Sequence, residues 1–124
     1  MDTQFDHEKL DVYRTAIAFV AWSGSLLDGP LAACRINAVS HLDRASTSVP
    51  LNIAEGNGKR SANDRRRYLD IARGSALESA ACLDVLMARN VLTAEEVAEG
   101  KALVKRIVEM LTKLTSSLLP PQSP

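Results

Sequence analysis

Gly56-Asn57-Gly58 is a helix stop in the middle of the chain, between two long stretches of helical periodicity. It brings the stretch after it alongside the stretch before it, and the rest of the sequence is organised around that turn. The surrounding segment, Ser46 to Ser79, also holds Pro50 inside a helical pattern, Gly74 in mid-helix and the triplet Arg65-Arg66-Arg67. Local rules are broken where packing or function requires it. Pro50 lacks an N–H and its ring meets the carbonyl four residues back, so a kink is expected there. Either Gly56 or Gly58 suits the left-handed cap that ends a helix.

Apolar residues at three- and four-residue spacing continue on both sides of that stop. They predict one all-α domain over residues 1–124, with helices over about 6–27, 30–55, 61–90 and 93–119 and a disordered tail at 120–124. Asp6 is placed to cap the first helix, whose stripe is Leu10, Tyr13, Ile17, Val20 and Leu27. Asp28-Gly29-Pro30 breaks it, and Pro30 suits the first position of the second helix, with Leu31, Cys34, Ala38, Leu42, Ala45 and Val49 facing inward. Ser61 and Asp64 open the third helix in the manner of a capping box, and Thr93 and Glu96 open the fourth. The fourth carries a heptad stripe of Val97, Val104, Ile107, Leu111, Leu114 and Leu118, and Pro120-Pro121 stops it. Four helices with short connections form an antiparallel up-down-up-down bundle.

A bundle helix needs only one apolar face. The run Ala16-Ile17-Ala18-Phe19-Val20-Ala21-Trp22 is apolar all round, which predicts a subunit interface with Phe19 and Trp22 as its candidates. The segment from Ala80 to Ala88 has the same character, with Asp84 its one charged residue. A homo-oligomer is expected.

Fifteen basic and fifteen acidic side chains cancel, so whole-chain charge does not mark a dedicated nucleic-acid binder. Cys34 and Cys82 stand far apart in helical patterns, as buried thiols of a reduced cytosolic protein do. The polar, acidic start is no signal peptide, and no apolar run reaches the ~18 residues of a membrane span. A soluble, cytoplasmic protein with no membrane partner follows.

Motifs that carry chemistry fail on inspection. Gly56-Asn57-Gly58-Lys59 lacks the earlier glycine, the Ser or Thr after the lysine, and the preceding strand of a phosphate loop. Neither His7 nor His41 has an acidic residue three positions before it, as a di-iron bundle needs. Ser40, His41 and Asp43 are helix neighbours and do not face one another. No catalytic, cofactor-binding or metal-binding residue is expected, and the chain reads as non-enzymatic. Arg44, Ser48, Asn52 and Glu55 share one face of the second helix; Ser75 and Glu78 share one face of the third. They predict a structural hydrogen-bond network, with Gly56 at the helix end and Gly74 at a close helix contact. Glu55 is expected to bond Arg65, Arg66 or backbone N–H groups beside them. The alternative is an enzyme or ligand-binding pocket around Asn52, Glu55, Ser75 and Glu78.

Lys59, Arg60, Arg65, Arg66 and Arg67 place five positive charges in nine residues, opposed only by Asp64. Like charges at a helix N-terminus work against its dipole, so this end is a candidate contact for RNA, DNA or a nucleic-acid-associated protein.

Ser48-Val49-Pro50-x-Asn52-Ile53-Ala54-Glu55-Gly56, then Arg60-Ser61, then Ala72-Arg73-Gly74-Ser75-Ala76-x-Glu78 resembles the bacterial 23S rRNA intervening-sequence proteins, also called the S23 ribosomal protein family. Leu10-Asp11-Val12-Tyr13 extends the resemblance, which covers about residues 9–115. It implies four-helix bundles assembled as ring-shaped homopentamers. The family name refers to genes lying inside intervening sequences of ribosomal RNA genes. A related branch, the accessory variability determinants of diversity-generating retroelements, is strongly basic and binds a reverse transcriptase and nucleic acid. This chain is neutral.

Overall fold

The computed structural model describes residues 2–120, which form four α-helices and, among those residues, no strand. Helix α1 spans Asp11–Asp28, α2 Asn37–Asn57, α3 Ala62–Ala88 and α4 Ala94–Ser117. The tail expected at 120–124 lies, beyond Pro120, outside the described residues. Each helix packs on its predecessor and α4 closes against α1, so α1 and α3 occupy opposite corners, as do α2 and α4. Ser48 meets Ser75 while Gly56, later in α2, meets Tyr68, earlier in α3. Lys101 likewise pairs with Asp84, and Thr112 with Arg73. Neighbouring helices therefore run antiparallel.

The core follows the four stripes. Phe19, Leu42, Ile53, Leu83, Leu86, Ile107 and Leu111 are fully buried, each contributing about 1.5–3 kcal/mol relative to exposure. Val97 and Val104 continue the α4 stripe, and Leu114 and Leu118 pack at its margin. Phe19 is 0% exposed within a single chain, which corrects its expected place at a subunit interface. Trp22 is half-buried, and its ring lies over Gly100 of α4. What remains open on that part of α1 is Ile17, Ala18 and Ala21.

Two helix starts differ from expectation. Residues Asp6–Lys9 form a single 3-10 turn, Leu10 is extended, and α1 begins only at Asp11. Asp6 does not cap α1, because its carboxylate accepts from Asn57 Nδ2 at 3.0 Å and so ties the chain start to the end of α2. Glu8 takes the Phe5 N–H at 2.6 Å. Helix α2 begins at Asn37, seven residues after Pro30, in place of the expected start at 30. The Leu31 N–H reaches back to the Leu26 carbonyl at 2.8 Å, and Leu31 is buried under the end of α1. That six-to-one closure turns the chain before a new helix can start. From Asn37, α2 continues without interruption through the buried Pro50 to Asn57.

The glycine caps were also misplaced by the sequence reading. No described glycine has a positive φ, and Gly58 ends α2 in right-handed geometry. The left-handed cap belongs to Asn90 (φ 61°) at the end of α3, where the Val91 N–H bonds the Leu86 carbonyl at 2.9 Å. Ser61 accepts the Asp64 N–H at 3.1 Å, and Thr93 and Glu96 form a complete capping box.

Gly56 is a true close approach: a Cβ there would stand 3.0 Å from Tyr68 Cβ and 3.1 Å from the Arg65 carbonyl oxygen. Gly74, expected at a close helix contact, has nothing within 4 Å of the same position. It lies on the outer face of α3, away from every helix of its own chain.

Candidate functional site

The polar motif forms a cross-helix clasp. Ser48 Oγ and Ser75 Oγ are 2.9 Å apart between α2 and α3, and Asn52 Nδ2 donates to both Ser48 Oγ and the Ser48 carbonyl at 2.9 Å. Ser79 donates to the Ser75 carbonyl. Among the described residues no buried side-chain nitrogen or oxygen lacks a partner. This closes the clasp chemically, since an unmade bond at a buried group costs about 1–3 kcal/mol. Ser residues at these positions let α2 and α3 approach and still satisfy one another.

Arg44, Glu55 and Glu78 stand outside the clasp on exposed positions. Ser48, Ser75, Arg44, Glu78 and His41 border one open recess of about 290 Å³. Asn52, Arg44, Asp43 and Leu51 border another of about 330 Å³. Glu55 borders neither, so the pocket sketched from Asn52, Glu55, Ser75 and Glu78 is not assembled. Among the described residues no group of three or more His, Cys, Asp or Glu side chains is placed to hold a metal ion. The Cys82 thiol is buried. Burial, with the nearby Glu78 charge adding to it, pushes that thiol's pKa up and disfavours the thiolate.

The basic end is more organised than a solvated helix start. Arg65, half-buried, donates from Nε to the Lys59 carbonyl at 2.7 Å, and from Nη2 to the Asn57 carbonyl at 3.5 Å. It thus covers carbonyls at the C-terminal end of α2, which is why no left-handed glycine is needed there. Arg66 reaches the Leu118 carbonyl at 3.5 Å and Asn63 Oδ1 at 3.1 Å, joining α3 to the end of α4. Lys59 Nζ and the Arg67 guanidinium lie 5.0 and 5.1 Å from the Tyr68 ring centroid, cation–π contacts that hold both cations near one aromatic surface. Glu55 pairs with Lys59 at 3.5 Å, and the expected bridge from Glu55 to Arg65 or Arg66 is not formed. Carbonyls have taken those guanidinium groups instead. Arg60 and Arg67 both stand on exposed positions.

Sequence reasoning missed three features. Arg65, expected as a partner-binding charge or a mate for Glu55, bonds the carbonyls at the end of α2. Tyr68 was not singled out, although an aromatic among five cations was a readable signal. Gly100 was passed over, although a glycine between Val97 and Val104 on the inner stripe of α4 marks a place where something large must fit.

Residues 8–113 match the family described as 23S rRNA-intervening sequence protein. Among solved structures, the chain is similar to a protein of unknown function from the S23 ribosomal protein family of Bacteroides thetaiotaomicron. The identity is 20% and the TM-score 0.74, over 84% of this chain and 97% of that one. At that identity the similarity carries the fold alone. No curated protein matches.

Proposed function

Because the chain belongs to the 23S rRNA-intervening sequence protein family, we propose that it is a non-enzymatic, cytoplasmic helical-bundle protein that assembles with copies of itself. The assembly is a ring, of five subunits as the family resemblance implies, and it presents repeated basic ends to an RNA or DNA backbone. Among the described residues no helix is long and apolar enough to cross a membrane.

One observation supports the assembly: two opposite corners of the bundle expose large apolar side chains, on α3 around a single Glu78. On α1, Ile17 is 44% exposed beside Ala18 and Ala21; on α3, Ile71 and Val85 are each 45% exposed, with Gly74, the charged Glu78 and Ala81 between them. A glycine in mid-helix costs about 1 kcal/mol relative to Ala. Gly74 has no neighbour within its own chain to offset that cost, which supports a second copy approaching closely there. Lys59, Arg60 and Arg67 supply the phosphate-binding charge for an RNA or DNA backbone. Repetition of weak contacts in a ring raises their combined affinity through effective concentration.

Light scattering and a mobility-shift titration on one sample test both parts. The expected mass is a multiple of 13.4 kDa, with retarded RNA at low salt and binding that weakens steeply as salt rises. A particle of single-chain mass at micromolar concentration overturns the assembly. Unshifted RNA and DNA at ~50 mM salt overturn the nucleic-acid contact and turn attention to a nucleic-acid-associated protein.

A further inference from the structure

Inside the basic end lies a cavity of about 190 Å³, between the last turn of α2, the start of α3, the end of α4 and Leu10 ahead of α1. Leu10, Leu69, Leu114 and Leu118 line it, and Arg65 stands at its edge. Two bonds to the carbonyls of Lys59 and Asn57 fix the Arg65 guanidinium in place. Among the described residues no carboxylate lies within salt-bridge distance of it, for the three ion pairs present involve other side chains. Asn57 also borders the cavity, and its Nδ2 is occupied by Asp6.

A half-buried cation held by carbonyl oxygens alone, set against a largely apolar cavity, keeps N–H donors for a ligand. The charge is partly desolvated, and among the described residues it meets carbonyl oxygens but no carboxylate. We propose that this cavity binds a small amphipathic carboxylate. Its hydrocarbon body lies among the four leucines, and its two oxygens accept from Arg65. Guanidinium is the group best shaped for this, since it offers parallel N–H donors to a planar carboxylate. An apolar cavity of about 150 Å³ holds a benzene ring, so this one suits a body of roughly six to eight carbons. A neighbouring recess of about 260 Å³ shares Leu10 and Leu114 and is bordered also by Val12 of α1 and by Met110 and Lys113 of α4. The site is independent of the nucleic-acid contact, whose cations Arg60 and Arg67 do not border it.

The full-length protein is titrated calorimetrically with hexanoate and octanoate, and with acetate and octylamine as controls. Saturable octanoate binding at one per chain is expected, with acetate and octylamine at least tenfold weaker. Arg65→Gln should weaken octanoate tenfold or more. Because Arg65 also caps α2, Ser117→Leu is the independent check: Ser117 borders the mouth on an exposed position, and a larger side chain there should block entry while Arg65 stays in place. Thermal unfolding with and without octanoate should show a stabilisation that Ser117→Leu removes. Absence of saturable octanoate binding by the wild type overturns the proposal. So does equal affinity for octylamine, or octanoate binding that survives both substitutions.

Discussion

The ring of Trp22 occupies the space in which any side chain at Gly100 would have to sit. A Cβ at Gly100 would meet Trp22 Cη2 and Cζ3 at once, and would stand 2.8 Å from Leu83 Cδ1. The large indole of α1 and the absent side chain of α4 are therefore one packing unit. Gly100→Ala, which on helix propensity alone should stabilise by about 1 kcal/mol, is expected to lower the denaturation midpoint instead. Overpacking of this kind costs about 1–3 kcal/mol. The same substitution made with Trp22→Leu should cost less than the two singles together, a coupling that a double-mutant cycle reads directly. An additive cycle would show that the two residues are independent.

The Ser48–Ser75 clasp predicts a modest and specific loss. Ser75→Ala removes one cross-helix bond but leaves Ser48 Oγ accepting from Asn52, so equilibrium unfolding should fall by about 0.5–1.5 kcal/mol. Ser48→Ala removes both bonds to its hydroxyl and should cost more. If Ser75→Ala proves the more damaging of the two, Ser75 has a partner that this arrangement does not contain.

Ile71→Glu and Val85→Lys place charges on the outer face of α3 without entering the core. Stability of the single chain should change by no more than ~0.5 kcal/mol, and circular dichroism should remain fully helical. The mass by light scattering should drop to that of one chain. An unchanged mass with both substitutions would move the self-contact to another surface.

Charge at the basic end separates into two kinds. Arg67→Gln should reduce RNA affinity and flatten its salt dependence by about one unit of log–log slope, with no change in thermal midpoint. Arg65→Gln should lower the midpoint, because two carbonyls near the end of α2 lose their donor at about 1 kcal/mol or more. Glu55→Ala, exposed and paired only with Lys59, should shift stability by less than ~0.5 kcal/mol. An Arg65→Gln protein as stable as the wild type would return Arg65 to the surface charges.

Cys82 gives a pH signature. Its thiol is raised in the folded state, so the stability it contributes is complete below the ordinary thiol range and is lost as pH rises through and above it. Between about pH 8 and pH 10 the wild type should lose stability more steeply than Cys82→Ala. Iodoacetamide at neutral pH should modify the half-buried Cys34 well before Cys82. Equal rates of alkylation would contradict the burial of Cys82.

The four helices were legible because the 3.6-residue period survives any detail of the loops, and the caps at Ser61 and Thr93 were legible because their partners lie three residues away. The start of α2 was not. Leu31 and Cys34 keep the apolar spacing of a helix while Leu31 folds back beneath α1, and periodicity cannot tell a helical turn from a turn that buries the same side. Phe19 was misassigned for a related reason: a residue inside an all-apolar run looks alike whether its own chain or a second one covers it. The caps at Asn90 and Arg65 depend on which carbonyls are left over once the helices have packed, which is a tertiary fact. The serine clasp was readable as a face of polar residues on each helix, but the division between bonded members and the exposed Arg44, Glu55 and Glu78 needed the register of α2 on α3.

The placement of α1 and α3 at opposite corners gives the molecule a direction. Two unlike surfaces point away from each other, one of Ile17, Ala18 and Ala21, the other of Ile71, Gly74 and Val85 around Glu78, so a contact that joins one to the other cannot satisfy both within a pair. In the proposed assembly each added copy would cover one surface and expose the next, and only a return of the last copy to the first would leave nothing open. Small changes in the angle between those two corners would alter how many copies make that return, or would let growth continue without end, while every helix within the copy stayed as it is.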